Sequence, residues 1–129
     1  MNNMENLRYG QECYNIVGAA MKVHRTLSCG FTEYVYQDAM EVELSKRGIP
    51  FTREKRMKVH YEGIELAHEY IADFVCYDHI IVELKAVSEL LPVHEAQTHN
   101  YLKIMGSDFG LLINFGQISL EYERITRFE

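Results

Sequence analysis

The sequence is short of the features that mark several large classes of protein. No apolar run approaches the roughly 20 residues needed to cross a bilayer, so no membrane partner is expected. The opening stretch, Met1-Asn2-Asn3-Met4-Glu5-Asn6, lacks the basic and apolar regions of a signal peptide. Cysteine is limited to Cys13, Cys29 and Cys76. These are odd in number, scattered and without metal-ligand spacing, which argues against a disulfide scaffold and for a reducing, cytoplasmic setting. There is no internal repeat, low-complexity segment or linker. There is also no G-x-S-x-G nucleophile turn, no glycine-rich phosphate loop and no His-x-x-x-His zinc pair.

What remains is an ordinary globular composition. The chain is 47% apolar and 25% charged over 129 residues. That suits one domain, 1–129, with a buried core. The net charge of −6 argues mildly against a general nucleic-acid binder. Between 46 and 58, however, Lys46, Arg47, Arg53, Lys55, Arg56 and Lys58 face one acid, Glu54. Six cations less one acid give a local +5, leaving −11 on the rest. Phosphate contact depends on such a local potential. The alternative is a solvated, edge-protecting strand.

Hydrophobic spacing divides the chain into elements. From about Gly10 to Leu27, Ile16, Val17, Ala20, Val23, His24 and Leu27 share one helix face. His24, on that inner face, reads as a satisfied core histidine. Ser28-Cys29-Gly30 breaks the helix. Thr32 can cap a second one to about Arg47, with Tyr36, Ala39, Met40 and Leu44 inward. Residues 51–61 then alternate, placing Arg53, Lys55, Met57 and Val59 on one side, and Glu62-Gly63 signals a hairpin turn. Strands follow from about Ile64 to Cys76 and from Ile80 to Val87. Pro92 opens a third helix that ends at Gly106. Phe109–Phe115 and Gln117–Phe128 read as the last two strands. The order α-α-β-β-β-α-β-β predicts an α/β layer fold with a mixed central sheet.

The chemistry concentrates in the strand at 80–87. Glu83 and Lys85 share one of its faces, because side chains alternate. Their neighbours Ile80, Ile81, Val82, Leu84, Ala86 and Val87 are apolar. Charges buried there must pair, bind something or line a cleft. Asp73 is likewise a charge inside the apolar run Ile71-Ala72-Asp73-Phe74-Val75. A three-residue loop at Tyr77-Asp78-His79 sets Asp73 opposite Glu83. A two-residue loop at Tyr77-Asp78 sends the acids to opposite faces. In the first register two like charges meet, and a divalent cation between them reverses the penalty.

Asp73 followed one hairpin later by Glu83-x-Lys85 resembles the signature of the PD-(D/E)XK nuclease superfamily. Gly30-Phe31-Thr32-Glu33-Tyr34-Val35-Tyr36 reads G-x-x-E-x-x-Y and looks like the small prokaryotic proteins of the GxxExxY family. Val82-Glu83-Leu84-Lys85-Ala86-Val87, Pro92-Val93-His94-Glu95-Ala96-Gln97 and Leu111-Leu112-Ile113-Asn114-Phe115-Gly116 add to the likeness, which extends from about Tyr14 to Arg127.

The resemblance implies a restriction-endonuclease-like fold. It also implies a Mg²⁺ or Mn²⁺ site held by Asp73, Glu83 and the carbonyl of Leu84. Lys85 is implied to activate water, and Glu33 to reach the metal or its water. Two carboxylates suit Mg²⁺, which keeps several waters. Glu33 has a plain alternative, since an acid is favoured in any first helical turn. Gln97 and Tyr101, in Gln97-Thr98-His99-Asn100-Tyr101, resemble the Q-x-x-x-Y element of recombination-type exonucleases; there Gln contacts the active site and Tyr the nucleic acid. Tyr36 is expected to touch Glu33 or substrate, or to pack as a core tyrosine. Arg53, Lys55 and Arg56 are expected on phosphates.

The leading expectation is thus a metal-dependent nuclease acting on DNA or RNA. The alternatives are a non-catalytic binding module that keeps the fold, and a small-molecule hydrolase using the same site. Association into a homo-oligomer is left open.

Overall fold

The computed structural model describes residues 3–127, with side chains from Tyr9 onward. The elements are α1 (Asn3–Leu27), α2 (Glu33–Lys46), β1 (Phe51–Met57), β2 (His60–Tyr61), β3 (Ile64–Glu65), β4 (Tyr70–Cys76), β5 (Ile80–Lys85), α3 (Pro92–Met105), β6 (Phe109–Asn114) and β7 (Glu121–Thr126). Five strands form one sheet in the order β1-β4-β5-β6-β7, and β2 pairs with β3 apart from it. Only β5 and β6 run parallel within that sheet, which is why a whole helix, α3, lies between them in sequence. The result is a mixed α/β fold with a mostly antiparallel central sheet.

Helices cover both faces of the sheet. On one face Ile16, Tyr36, Met40 and Leu44 of α1 and α2 pack against Phe74, Val82, Leu84 and Ile113. On the other, Leu102 of α3 packs with Val75, Ile81 and Leu112. Strand β5 gives Ile80, Val82 and Leu84 to the first core and Ile81 to the second. It is buried on both sides, as its nearly continuous apolar run requires. Each fully buried Leu or Ile in these layers contributes about 1.5–3 kcal/mol.

Several expectations need correction. Helix α1 begins at Asn3, ahead of Gly10. The strand expected from Ile64 to Cys76 is interrupted, because the Glu62-Gly63 turn closes a small hairpin of its own, with Tyr61 opposite Ile64. Thr32 precedes α2 in extended conformation, but its side chain makes no capping bond. Arg53 does not share a face with Lys55 and Met57. Glu54 takes a left-handed φ of 54°, which breaks the alternation. Arg53 accordingly bonds to α2, while Met57 joins the core under α3. The final strand is Glu121–Thr126, and the expected end at Phe128 lies outside the described residues.

Candidate metal centre

The β4–β5 hairpin decides whether the two acids meet. Its register pairs Cys76 with Ile80, Val75 with Ile81 and Phe74 with Val82, which corresponds to the three-residue loop Tyr77-Asp78-His79. Helix α1 holds that loop: Glu12 binds His79 at 2.7 Å, and Asn15 donates to the Tyr77 hydroxyl at 3.1 Å. The backbone ladder ends at Phe74 and Val82, one step before the acids. Beyond that point β4 stays with β1, and β5 stays with β6 out to Lys85 and Asn114. The two strands separate, and side chains take over the pairing. The Leu84 N–H donates to Asp73 Oδ2 at 2.8 Å, and the Asp73 N–H donates to Glu83 Oε1 at 3.2 Å.

The local electrostatics follow from that placement. Glu83 is only 5% exposed. Burial pushes its pKa well above the usual carboxylate range, and the neighbouring Asp73 charge pushes it further. Asp73 is also raised, chiefly by burial, against the opposing bond from the Leu84 amide. Glu33 is raised by partial desolvation, with Lys85 pulling it down and Asp73 pushing it up. These mutual influences put Glu33, Asp73, Glu83 and Lys85 in one neighbourhood.

Glu33 reaches it from the first turn of α2, which is positioned by the preceding turn. Gly30 has φ 116°, a region that suits glycine. Tyr36 locks this turn: its hydroxyl donates to the Ser28 carbonyl at 2.6 Å and accepts from the Phe31 N–H at 3.3 Å. Its ring stacks on Phe115 with centroids 4.7 Å apart. Tyr36 is fully buried, so the expectation that it touches substrate is corrected to a positioning role. The G-x-x-E-x-x-Y spacing thus has a local reason. Gly makes the turn, Tyr clamps it, and Glu emerges at the site.

The remaining candidates divide. A cavity of about 270 Å³ is lined by Glu33, Tyr34, Gln37, Asp73 and Leu84. Tyr34 and Gln37 went unremarked in the sequence; Gln37 stands one helical turn after Glu33, a spacing that flags it. Tyr101 is half-buried, and its hydroxyl is pushed up to about 12, mainly by burial and then by Glu83. Gln97 is exposed, and its side chain forms no hydrogen bond among the described residues. His94 caps α3 by accepting the Leu91 N–H, and His24 is satisfied by the Gln117 carbonyl. Asn114, the last residue of β6, is fully buried. Its amide binds both the N–H and the carbonyl of Val87, fixing the chain just beyond Lys85.

Three of the six cations of the basic patch are neutralised. Arg53 is bound by Asp38, Glu41 and Gln37, Arg47 by Glu43, and Lys58 by Glu65 and Glu69. Arg53 is therefore corrected from a phosphate ligand to a tie between β1 and α2. Lys55 and Arg56 are exposed and have no acidic partner among the described residues. A larger cavity of about 400 Å³, lined by Cys13, Met21, Arg47, Tyr122 and Arg124 among others, shares no residue with the acid site.

Among the described residues, no three His, Cys, Asp or Glu side chains gather closely enough to enclose a metal. The donor set is two adjacent carboxylates, with Glu33 outside them. This fits Mg²⁺ or Mn²⁺ better than zinc, because hard hydrated cations use one or two carboxylates and complete their shell with water. Two crowded, buried acids with raised pKa values are also a place where a cation relieves repulsion.

Comparisons with known proteins bear on the fold and the family. Among curated proteins none matches the chain. Two solved structures resemble it in fold. The first is the crystal structure of SSO0001, with TM-score 0.59 and 18% identity, covering 72% of this chain and 48% of that one. The second is an alkaline exonuclease, LHK-Exo, from Laribacter hongkongensis, with TM-score 0.55 and 13% identity, covering 73% and 55%. The chain thus spans about half the length of each. The family described as the PD-(D/E)XK nuclease superfamily matches residues 10–127. With that match over nearly its whole length, and with paired acids where β4 and β5 part, the chain belongs to the PD-(D/E)XK nuclease superfamily.

Proposed function

We propose that the protein is a Mg²⁺- or Mn²⁺-dependent nuclease that hydrolyses phosphodiester bonds of DNA or RNA. The observation that carries this reading is the acid pair at the strand split, with Lys85 two residues along β5. Asp73, Glu83 and the Leu84 carbonyl would hold the ion, with Glu33 facing the same cavity as Asp73 and Leu84. When bound, the ion polarises the scissile phosphate and acidifies water. Lys85 would orient the attacking water through Nζ and offset the negative charge that builds on the phosphate. Gln97 and Tyr101 meet the nucleic acid from α3, and Lys55 and Arg56 take phosphates from β1. Gly30, Glu33 and Tyr36 support membership of the GxxExxY group. Free cysteines at Cys13, Cys29 and Cys76 fit a cytoplasmic setting. No helix of the described residues is long and apolar enough to cross a membrane.

The test combines titration with cleavage. Calorimetry with Mn²⁺ should give binding that Asp73→Asn abolishes. Labelled linear, nicked and single-stranded nucleic acids should be cut with Mn²⁺. Lys85→Ala should lower the rate by about 10²–10⁴-fold while changing Mn²⁺ affinity little. Wild-type cleavage in the Lys85→Ala preparation would refute the assignment. A second reading, a non-catalytic module for nucleic acid or protein, is favoured by the neutralised Arg53. Absence of Mn²⁺ binding would select it.

A further inference from the structure

Two pairs of tyrosines differ in what their hydroxyls do. Tyr36 and Tyr77 have hydrogen-bonded hydroxyls: Tyr36 binds Ser28, and Tyr77 accepts from Asn15. The hydroxyls of Tyr70 and Tyr101 form no hydrogen bond among the described residues. They instead contact each other edge to face, with centroids 4.6 Å apart and planes at 76°. Tyr70 is 37% exposed. A buried structural tyrosine normally finds a partner for its hydroxyl; this pair keeps its polar ends open to solvent or ligand.

Their surroundings are equally specific. Tyr70 is the first residue of β4, three residues before Asp73, or about 10 Å along an extended strand. Across from this stretch on β1, Lys55 faces Ala72, Arg56 faces Ile71 and Met57 faces Tyr70. Lys55 and Arg56 are the cations of that strand left without an acid, whereas Arg53 on the one side and Lys58 on the other are paired. Lys55, two residues from Met57, lies on the same sheet face as Tyr70, so a partly exposed ring pair with a free cation beside it, near the carboxylates, makes a stacking surface.

We propose that Tyr70, with Tyr101, stacks an unpaired base beside the Asp73–Glu83 pair, so that the site takes a single strand or a frayed end. This rests on the nuclease reading and names its substrate class. In a closed duplex the ring faces of the bases are covered by their neighbours and unavailable to Tyr70. Lys55, on the same face of the sheet, neutralises a phosphate of that strand. Tyr70 is thus a substrate-binding residue, whereas the acids and Lys85 remain the reacting group.

Fluorescence anisotropy tests this on the full chain with Ca²⁺ in place of Mn²⁺ to limit turnover. The probes are a labelled single strand, a blunt duplex of the same sequence and a duplex with a short single-stranded end, each as DNA and as RNA. The single strand should bind at least tenfold more tightly than the blunt duplex. Tyr70→Ala should weaken single-strand binding by about 10–100-fold, leave duplex binding within twofold and keep a cooperative melting transition, and Tyr70→Phe should retain most of the affinity. Equal loss on single strand and duplex, no loss on either, or no nucleic-acid binding at all overturns the proposal. The two readings fail separately. Tyr70-dependent single-strand binding without any Mn²⁺-dependent cleavage removes the nuclease and keeps the stacking surface. Cleavage with Tyr70→Ala binding like wild type does the reverse.

Discussion

Replacing Glu83 by glutamine in the metal-free protein should make it more stable, and the gain should depend on pH in a defined direction. Glu83 is buried and faces Asp73, and its pKa is raised by burial first and by the Asp73 charge second. Well below the ordinary carboxylate pKa of about 4.3, Glu83 is protonated in both folded and unfolded chains and carries no penalty. As pH rises past that value the unfolded chain gives up the proton while the native state keeps it. Stability therefore falls through the window up to the raised folded pKa and is then level. Two unit charges about 4 Å apart repel by about 4 kcal/mol at an effective dielectric constant of about 20. Lys85 offsets part of this, leaving a penalty of about 1–3 kcal/mol in the metal-free protein. Glu83→Gln removes the charge but keeps an oxygen for the Asp73 N–H. Thermal unfolding in EDTA should show the two proteins equal near pH 4. The variant should be ahead at pH 8, by about 3–6 °C for each kcal/mol. Mn²⁺ at about 100 times its Kd should then return about 2.7 kcal/mol to the wild type and much less to the variant. A variant no more stable than wild type at pH 8, or a gap equally large at pH 4, would refute the reasoning.

Three further outcomes are expected. Tyr36→Phe keeps the stack on Phe115 but loses the bond to Ser28 and the acceptor for Phe31; stability should drop by about 1–2 kcal/mol. Weakened substrate binding with an unchanged melting temperature would instead make Tyr36 a substrate contact. Arg53→Ala should leave the salt dependence of nucleic-acid binding unchanged, because Arg53 is held by Asp38 and Glu41, whereas Lys55→Ala or Arg56→Ala should lower the slope by about 1 each. At Gly116 an added Cβ would overlap the Val87 backbone, so Gly116→Ala should cost about 1–3 kcal/mol; an unchanged denaturant midpoint would contradict that packing.

Much of the fold was legible because the relevant signals are local. The apolar stripe of the first helix, Pro92 opening α3 and the doubly buried run at 80–85 all carry their own periodicity. The hairpin register was not legible. Two loop lengths were compatible with Tyr77-Asp78-His79, and both Tyr77 and Asp78 sit at positive φ, 55° and 66°. The choice is held by Glu12 and Asn15, more than 60 residues earlier in the chain. The basic patch was misread for a similar reason. Sequence shows that six cations cluster, but not that Asp38, Glu41 and Glu43 of α2 lie beside Arg53 and Arg47. Glu54 removed the last cue, since a single left-handed residue switches which face the following side chains occupy. Tyr70 and Asn114 carried no sequence signal of their own, because a strand tyrosine and a strand-end asparagine are common.

The parting of β4 from β5 has a practical consequence for how variants of this protein are read. At that seam the sheet is stitched by two carboxylates, each gripping an amide of the opposite strand. Truncating Asp73 or Glu83 to alanine therefore unpicks the sheet at the same moment that it removes a carboxylate from the proposed metal site. Lost activity in an alanine survey reports both events at once. The amide isosteres Asp73→Asn and Glu83→Gln keep the stitch and remove only the charge. In this fold the choice of replacement, more than the choice of position, determines whether an experiment measures chemistry or architecture.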